Sequence, residues 1–559
     1  MRSAAARGLS ALLVVVVASV ALRPAPAAAA AAPATAVPTG RAPVLEVNGE
    51  TLVGVASPTP GVDAYLGIPF AAPPTGELRW RAPVDFQGRG GRREASAFAP
   101  ACMQSPRILD WYRGMAERFG ASRDIFPDLA VSEDCLYLNV WAPRERRGDP
   151  YPVLVFIHGG SNRSGWSFEP NYHGHRLAAE GVVVVTIAYR LGVFGFFSHP
   201  ELEGERAQAN FGLWDQLAAL RWVRRHIGAF GGGKSRVTLF GESAGGGNIA
   251  ALMFSSAARD LFTGAIIQSG GDFGWPGIRP LADEQARGLV LARALDADRP
   301  PDLEALRRVD AARLLEVAER VFAKHYHAPV VDGTIVTGPL RDQLASHDGP
   351  LQRLMIGTNA DEYYSAAQRG AGEAAIDAAV AAADVLKMPA ARAELRSTPD
   401  AADAIDRLAT ADSMLCPAQL LAEAVARGRR PVWMYEFTRV REGRQAAELG
   451  AYHGAELPYV FGTHDGWLPT SATDRRITRA MMQAWVRFAT YGSPDPAAAG
   501  LPVGGTAGPR WPPYGSTELR RVMRFDAAQV MVPPPEPVLC RLYRDQVYGE
   551  RAAASPSQN

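Results

Sequence analysis

Gly241-Glu242-Ser243-Ala244-Gly245 is the only G-x-S-x-G stretch in the chain. It directly follows the apolar run 237–240 and precedes a stretch through Ile249 and Met253 that reads as a helix. A sharp strand-to-helix turn of this composition holds the serine Oγ above the sheet and near a helix N-terminus, which suits a nucleophile attacking an acyl carbon. Attack puts negative charge on the carbonyl oxygen, and that charge needs donors. Phe156-Ile157-His158-Gly159-Gly160-Ser161-Asn162 follows another apolar run and offers backbone N–H groups. Gly160, Ser161 and Ala244 are the expected oxyanion donors, each worth ~100 to 1000-fold in turnover at sites of this type.

A serine hydroxyl needs a base, and the base needs an acid to orient it. On a strand-turn-helix site these follow in the order serine, acid, histidine. Past Ser243 lie His325, His327, His347, His453 and His464, and only the last two follow the adjacent acids Asp361 and Glu362. Gly454 frees the loop beside His453 and favours it over His464; charge alone leaves Asp361 and Glu362 open. His173-Gly-His175 and His325-Tyr-His327 have no third ligand at a recognisable spacing. They read as surface or core histidines, and neither a metal nor an organic cofactor is expected.

The elements that must position these residues can be read from periodicity. The runs 153–157, 182–187 and 237–240 are short, continuous and rich in β-branched residues, as strands covered on both faces require. Further strands are expected at 265–268, 354–357, 432–437 and 522–525, and a half-buried one at 136–141. Leu213, Leu217, Leu220 and Val223 recur at helical spacing within 211–227. Segments 373–395 and 475–490 also read as helices. Alternating strands and helices imply an α/β fold with a mostly parallel central sheet flanked by helices. Residues 44–69, with turns at Asn48-Gly49 and Thr59-Pro60-Gly61, add antiparallel edge strands. Residues 494–513 read as a surface loop.

The chain of 559 residues is 47% hydrophobic and 21% charged, enough for a large core. A net charge of +1 with both signs interspersed gives no basic footprint for nucleic acid. Arg2 and Arg7, the apolar run 9–22 and the A-x-A sites after Ala25 have the layout of a secretory signal peptide, expected over 1–32. Residues 33–43 form an Ala/Pro-rich linker, 44–549 one catalytic domain and 550–559 a disordered tail. No retained membrane anchor is expected, and the product of export is expected to be a monomer. Cys102, Cys135, Cys416 and Cys540 make an even count in an exported chain, compatible with two disulfides in any of three connectivities.

With these residues in hand, the chain resembles the type-B carboxylesterases, the cholinesterase-like family of the α/β-hydrolase superfamily, from about Val44 to Tyr548. Ser132-Glu-Asp-Cys-Leu-Tyr-Leu-Asn139, Pro329-Val-Val-Asp-Gly333, Gly357-Thr-Asn-Ala-Asp-Glu362 and His453-Gly-Ala-Glu-Leu-Pro-Tyr-Val-Phe461 follow in family order. The resemblance implies Glu362 as the acid and His453 as the base of a triad with Ser243, acting on a small-molecule ester through an acyl-enzyme. It also implies bridges Cys102 to Cys135 and Cys416 to Cys540, ion pairs Arg79 with Glu133 and Arg190 with Asp215, and Trp275 as a wall of the acyl pocket. Ser161-Asn162 stands where the family has a small residue and then an aromatic, which points to a differently shaped alcohol side. Tyr363 replaces a usual glycine. Ile125 and Phe126 stand where a choline-binding tryptophan is expected, which disfavours choline esters. Two other readings compete: a catalytically inactive binding module of the same fold, and the same triad acting on amide, carbamate or lactone bonds.

Overall fold

The computed structural model describes residues 42–270, 278–325, 327–338, 350–364, 369–504, 508–515 and 520–554, with side chains to 549. The expected signal peptide and linker, apart from 42–43, and Trp275 lie outside the described residues. An eleven-stranded sheet organises the rest. In chain order its strands are β1 (Val55–Ala56), β2 (Val62–Pro69), β3 (Tyr137–Pro143), β4 (Tyr151–Ile157), β5 (Val183–Ile187), β6 (Gly232–Glu242), β7 (Gly264–Gln268), β8 (Arg353–Asn359), β9 (Val432–Phe437), β10 (Val522–Phe525) and β11 (Gln529–Val532). Their spatial order is β11-β10-β9-β8-β7-β6-β4-β5-β3-β2-β1. Pairing is parallel from β5 through β10 and antiparallel at both margins.

The continuous apolar runs became the strands buried on both faces. Along β4, Val153, Val155 and Ile157 face one core while Leu154 and Phe156 face another. Helix α2 (Phe211–His226) covers the first face and α5 (Ala472–Tyr491) the second. Each fully buried side chain of this size contributes about 1.5–3 kcal/mol. The other helices used below are α1 (Arg107–Arg118), α3 (Ala244–Met253) and α4 (Ala401–Thr410).

The expected N-terminal hairpin splits. Val44–Val47 and Glu50–Val53 pair antiparallel around Asn48-Gly49, both at positive φ, but in a separate three-stranded sheet. Only β1 and β2 join the main sheet. β3 is buried on both faces rather than half-buried. Its polar residue Asn139 accepts from the Gly67 N–H and donates to the Ser167 and Thr186 hydroxyls, so polarity there does not mark a wet face. The expected helix 373–395 breaks into Glu373–Ala382 and Pro389–Leu395. The Asp412 carboxylate accepts from the N–H groups of Asp384, Val385 and Leu386 between them, which ends the first helix. Trp511 in the expected surface loop is buried and accepts a hydrogen bond from the Trp433 indole through its carbonyl. The last helix runs Pro537–Ala554, past the expected start of the tail at 550.

Both disulfides form, Cys102 with Cys135 and Cys416 with Cys540. The ion pairs Arg79–Glu133, at 2.5 Å and partly buried, and Arg190–Asp215, at 2.7 Å and fully buried, are both present.

Candidate active site

After β4 the chain crosses to β5 on one side, and after β6 it crosses to β7 on the other. Ligands of open α/β sheets sit in the crevice at such a reversal, outside the carboxyl ends of the strands. Ser243 follows β6 at that point, with φ 55° and ψ −128°. A serine at positive φ is strained, and the tight packing of its neighbours holds it there. A Cβ on Gly245 would lie 2.1 Å from the Ile157 carbonyl oxygen, and one on Gly241 would lie 2.8 Å from the same atom. Both glycines of the motif are therefore demanded by the approach of β4. The Ser243 N–H donates to the Gln268 carbonyl at 2.9 Å, which fixes the turn against β7.

The loop after β4 packs against this turn: a Cβ on Gly159 would lie 2.9 Å from that of Ser243. Gly160, Ser161 and Asn162 all have positive φ, at 99°, 59° and 54°. The backbone N–H groups of Gly160, Ser161 and Ala244 donate to no acceptor among the described residues. Asn162 does not stand open to the site. Its side chain is 1% exposed and turns into the protein.

Glu362 lies in the turn after β8, and His453 in the loop after β9. His453 Nδ1 is 2.6 Å from Glu362 Oε2, and the Glu362 side chain is fully buried while that of His453 is 33% exposed. The other Glu362 oxygen accepts from the Asn359 N–H at 2.8 Å. Its turn is gripped from α4: the Thr410 hydroxyl accepts from the Glu362 N–H and the Asp406 carboxylate from the Tyr363 N–H. Asp361 points elsewhere, accepting from the Ala451 N–H at 2.6 Å. His464 is also elsewhere, between Arg441 and Thr478, where burial and Arg441 push it down to about 3.

His453 Nε2 lies 3.1 Å from Glu242 Oε1. The Ser243 hydroxyl makes no hydrogen bond among the described residues. Burial opposes charge on His453, but Glu242, Glu362 and Glu456 outweigh it and raise the ring well above its ordinary value. Burial also raises the Glu242 carboxyl, aided by Glu456 and Glu362 and opposed by His453. The two groups share protons as one unit, because a neutral Glu242 no longer attracts an imidazolium. Behind them Glu456, fully buried, accepts from Gln268 and Asn359 at 2.9 and 2.7 Å.

Sequence reading did not single out Glu242, Glu456, Asn248 or Trp111. Trp111 on α1, inside the loop closed by Cys102 and Cys135, is 43% exposed, and its ring lies 6.2 Å from that of Tyr452, next to His453. Phe126 packs on Tyr112 and Trp467 instead of standing open. No group of three metal-ligating side chains occurs among the described residues.

A large, mostly parallel sheet covered by helices, with a strained serine at its switch point, is an α/β-hydrolase fold. Two solved structures, titled PNB esterase and thermophilic PNB esterase, match with TM-scores of 0.75 and 0.74, each at 29% identity over 89% of this chain and 99% of theirs. The sequence model described as Carboxylesterase family matches residues 41–536, and the chain belongs to that family. It is 35% identical over 463 residues to the Fumonisin B1 esterase of Sphingopyxis macrogoltabida, covering 78% of this chain and 80% of that one. It is 33% identical over 494 residues to the Para-nitrobenzyl esterase of Bacillus subtilis (strain 168), covering 85% and 94%. The Cocaine esterase of Homo sapiens matches at 32% over 494 residues, 84% of each chain. The protein is a carboxylic ester hydrolase.

Proposed function

We propose that Ser243, Glu362 and His453 hydrolyse esters through an acyl-enzyme. The observation that carries this reading is the 2.6 Å contact between Glu362 and His453 Nδ1, beside a serine strained at the head of α3. Held through Nδ1, the imidazole leaves Nε2, 3.1 Å from Glu242 Oε1, to act as the base. Ser243 Oγ attacks the ester carbonyl carbon as its proton passes to Nε2. The tetrahedral oxyanion is received by the N–H groups of Gly160, Ser161 and Ala244. The carbon–oxygen bond to the alcohol then breaks, and the alkoxide takes the proton from His453. Water attacks the acyl-enzyme, gives its proton to His453, and the acid leaves with Ser243 restored. The substrate is a small-molecule carboxylic ester. The related enzymes named for fumonisin B1, cocaine and para-nitrobenzyl esters support that class without selecting a member of it.

The protein acts outside the cytoplasm after loss of residues 1–32, as one catalytic domain over 44–549. Two disulfides suit an oxidising compartment, and no helix among the described residues is long and apolar enough to cross a membrane. N-terminal sequencing of the exported protein checks the processing.

The chemistry is tested with Ser243→Ala. Hydrolysis of a chromogenic ester panel and labelling by a fluorophosphonate should both vanish while the melting temperature stays near that of the wild type. A folded variant that still turns over esters would sink the assignment.

A further inference from the structure

The oxyanion loop carries a constraint that family resemblance does not provide. Asn162, at the end of three successive residues with positive φ, forms a cyclic amide pair with Asn248 on α3. Asn162 Nδ2 donates to Asn248 Oδ1 at 3.3 Å, and Asn248 Nδ2 donates back to Asn162 Oδ1 at 2.8 Å. The second Nδ2 proton of Asn162 goes to the His327 carbonyl at 2.8 Å. A carbonyl can only accept, so this bond fixes which way the Asn162 amide faces and therefore which way Asn248 must face. Asn162 and Asn248 are 1% and 0% exposed, so no water competes for these bonds. The Tyr189 hydroxyl stands 2.8 Å from the His158 carbonyl and 3.3 Å from Asn162 Oδ1, pinning the first and last residues of the loop from the end of β5. The Asn162 carbonyl accepts from the Gly192 N–H at 2.6 Å.

These contacts connect the two halves of the proposed oxyanion hole. Gly160 and Ser161 lie on the loop after β4, whereas Ala244 opens α3, the helix that carries Asn248. Among the described residues no backbone hydrogen bond joins the loop to this helix: the β4–β6 ladder ends at Ile157 opposite Gly241, close glycine packing sets the near end, and beyond it the Asn162–Asn248 pair is a side-chain link between the two. A hole of three donors works only when all reach one oxygen at hydrogen-bond distance, and misplacement by about 1 Å can cost ~100-fold. Ser161 and Asn162 also occupy left-handed backbone that non-glycine residues leave readily unless held.

We infer that Asn162 and Asn248 are paired positioning residues that fix the Gly160 and Ser161 donors relative to Ala244. The inference rests on the oxyanion assignment proposed above. It places the unusual Asn162 in turnover rather than in substrate choice.

The test uses the full-length enzyme and three variants, Asn162→Gly, Asn248→Ala and the double variant. Glycine keeps positive φ at no steric cost, so Asn162→Gly removes the amide while preserving the loop's backbone preference. Each single variant should lose ~10 to 100-fold in kcat with KM nearly unchanged. The double variant should lose no more than the worse single one, as expected of two residues acting as a unit. Affinity for a trifluoromethyl ketone, which forms a tetrahedral adduct with the serine, should fall in parallel with kcat. Folded variants with wild-type kcat and ketone affinity would overturn the inference, as would losses that multiply in the double variant. Failure of the oxyanion reading itself would look different: the wild type would then bind the trifluoromethyl ketone no better than the matching methyl ketone.

Discussion

Replacing Glu362 with glutamine changes one oxygen for a nitrogen, 2.6 Å from His453 and with no solvent to compensate. The charge-assisted bond it removes is worth about 1.5–3 kcal/mol by itself. Turnover should fall further, because the carboxylate also fixes the tautomer and stabilises the imidazolium that forms as Ser243 attacks. Amide replacement of such an acid has cost up to ~10⁴-fold, or about 5 kcal/mol at 1.36 kcal/mol per decade. Asp361→Asn, one residue away, is the matched control. Its carboxylate accepts one N–H, from Ala451, and an asparagine oxygen can accept the same bond, so about 1 kcal/mol of stability is at stake. Both variants should be purified, their melting curves recorded, and kcat measured on a p-nitrophenyl ester at saturation. Glu362→Gln should fold and lose most of its turnover; Asp361→Asn should melt slightly earlier and remain active. A folded Asp361→Asn that is inactive, beside an active Glu362→Gln, would refute the assignment by one residue.

The pH profile depends on Glu242. His453 must be neutral to accept the serine proton, and Glu242 helps raise its pKa, so Glu242→Gln should move the acid limb of kcat/KM to lower pH. A limb that stays put or moves upward would show that Glu242 does not stabilise the imidazolium. The Cys416–Cys540 bridge closes 124 residues and in a chain-entropy model stabilises by about 5 kcal/mol, against about 4 for the 33 of Cys102–Cys135. Cys540→Ser should therefore lower the melting temperature more than Cys135→Ser does, and equal losses would argue against the loop-entropy account.

Strong local signals made much of the fold legible in the sequence. The runs ending at Ile157 and Phe240 read as strands covered on both faces, and their ends lead into the 158–162 loop and the Ser243 turn. Local spacing could not distinguish Asp361 from Glu362, because adjacent loop residues point in different directions according to what packs on them. Here α4, some 45 positions later, takes hold of Glu362 and Tyr363 through Thr410 and Asp406. Family resemblance implied Glu362 and His453 together, and the structure places them 2.6 Å apart, but the resemblance does not supply that cause. The same blindness to distant partners hid the break at Asp384, set by Asp412, and the buried role of Asn162, set by Asn248. Asn139 misled in the other direction, since a polar residue satisfied inside the core reads like a surface one.

The grip of α4 on the Glu362 turn has a consequence for tolerance of substitution. Ser243 is held by the centre of the sheet, where Gly241, Gly245 and β4 leave almost no room for change. Glu362 is held from a peripheral helical layer whose own core, around Leu408, Cys416 and Cys540, is separate. Change in that outer layer can therefore loosen the Glu362–His453 contact while leaving the Ser243 turn intact. A side chain gained at Gly241 or Gly245, by contrast, would press on the Ile157 carbonyl and disturb the sheet itself.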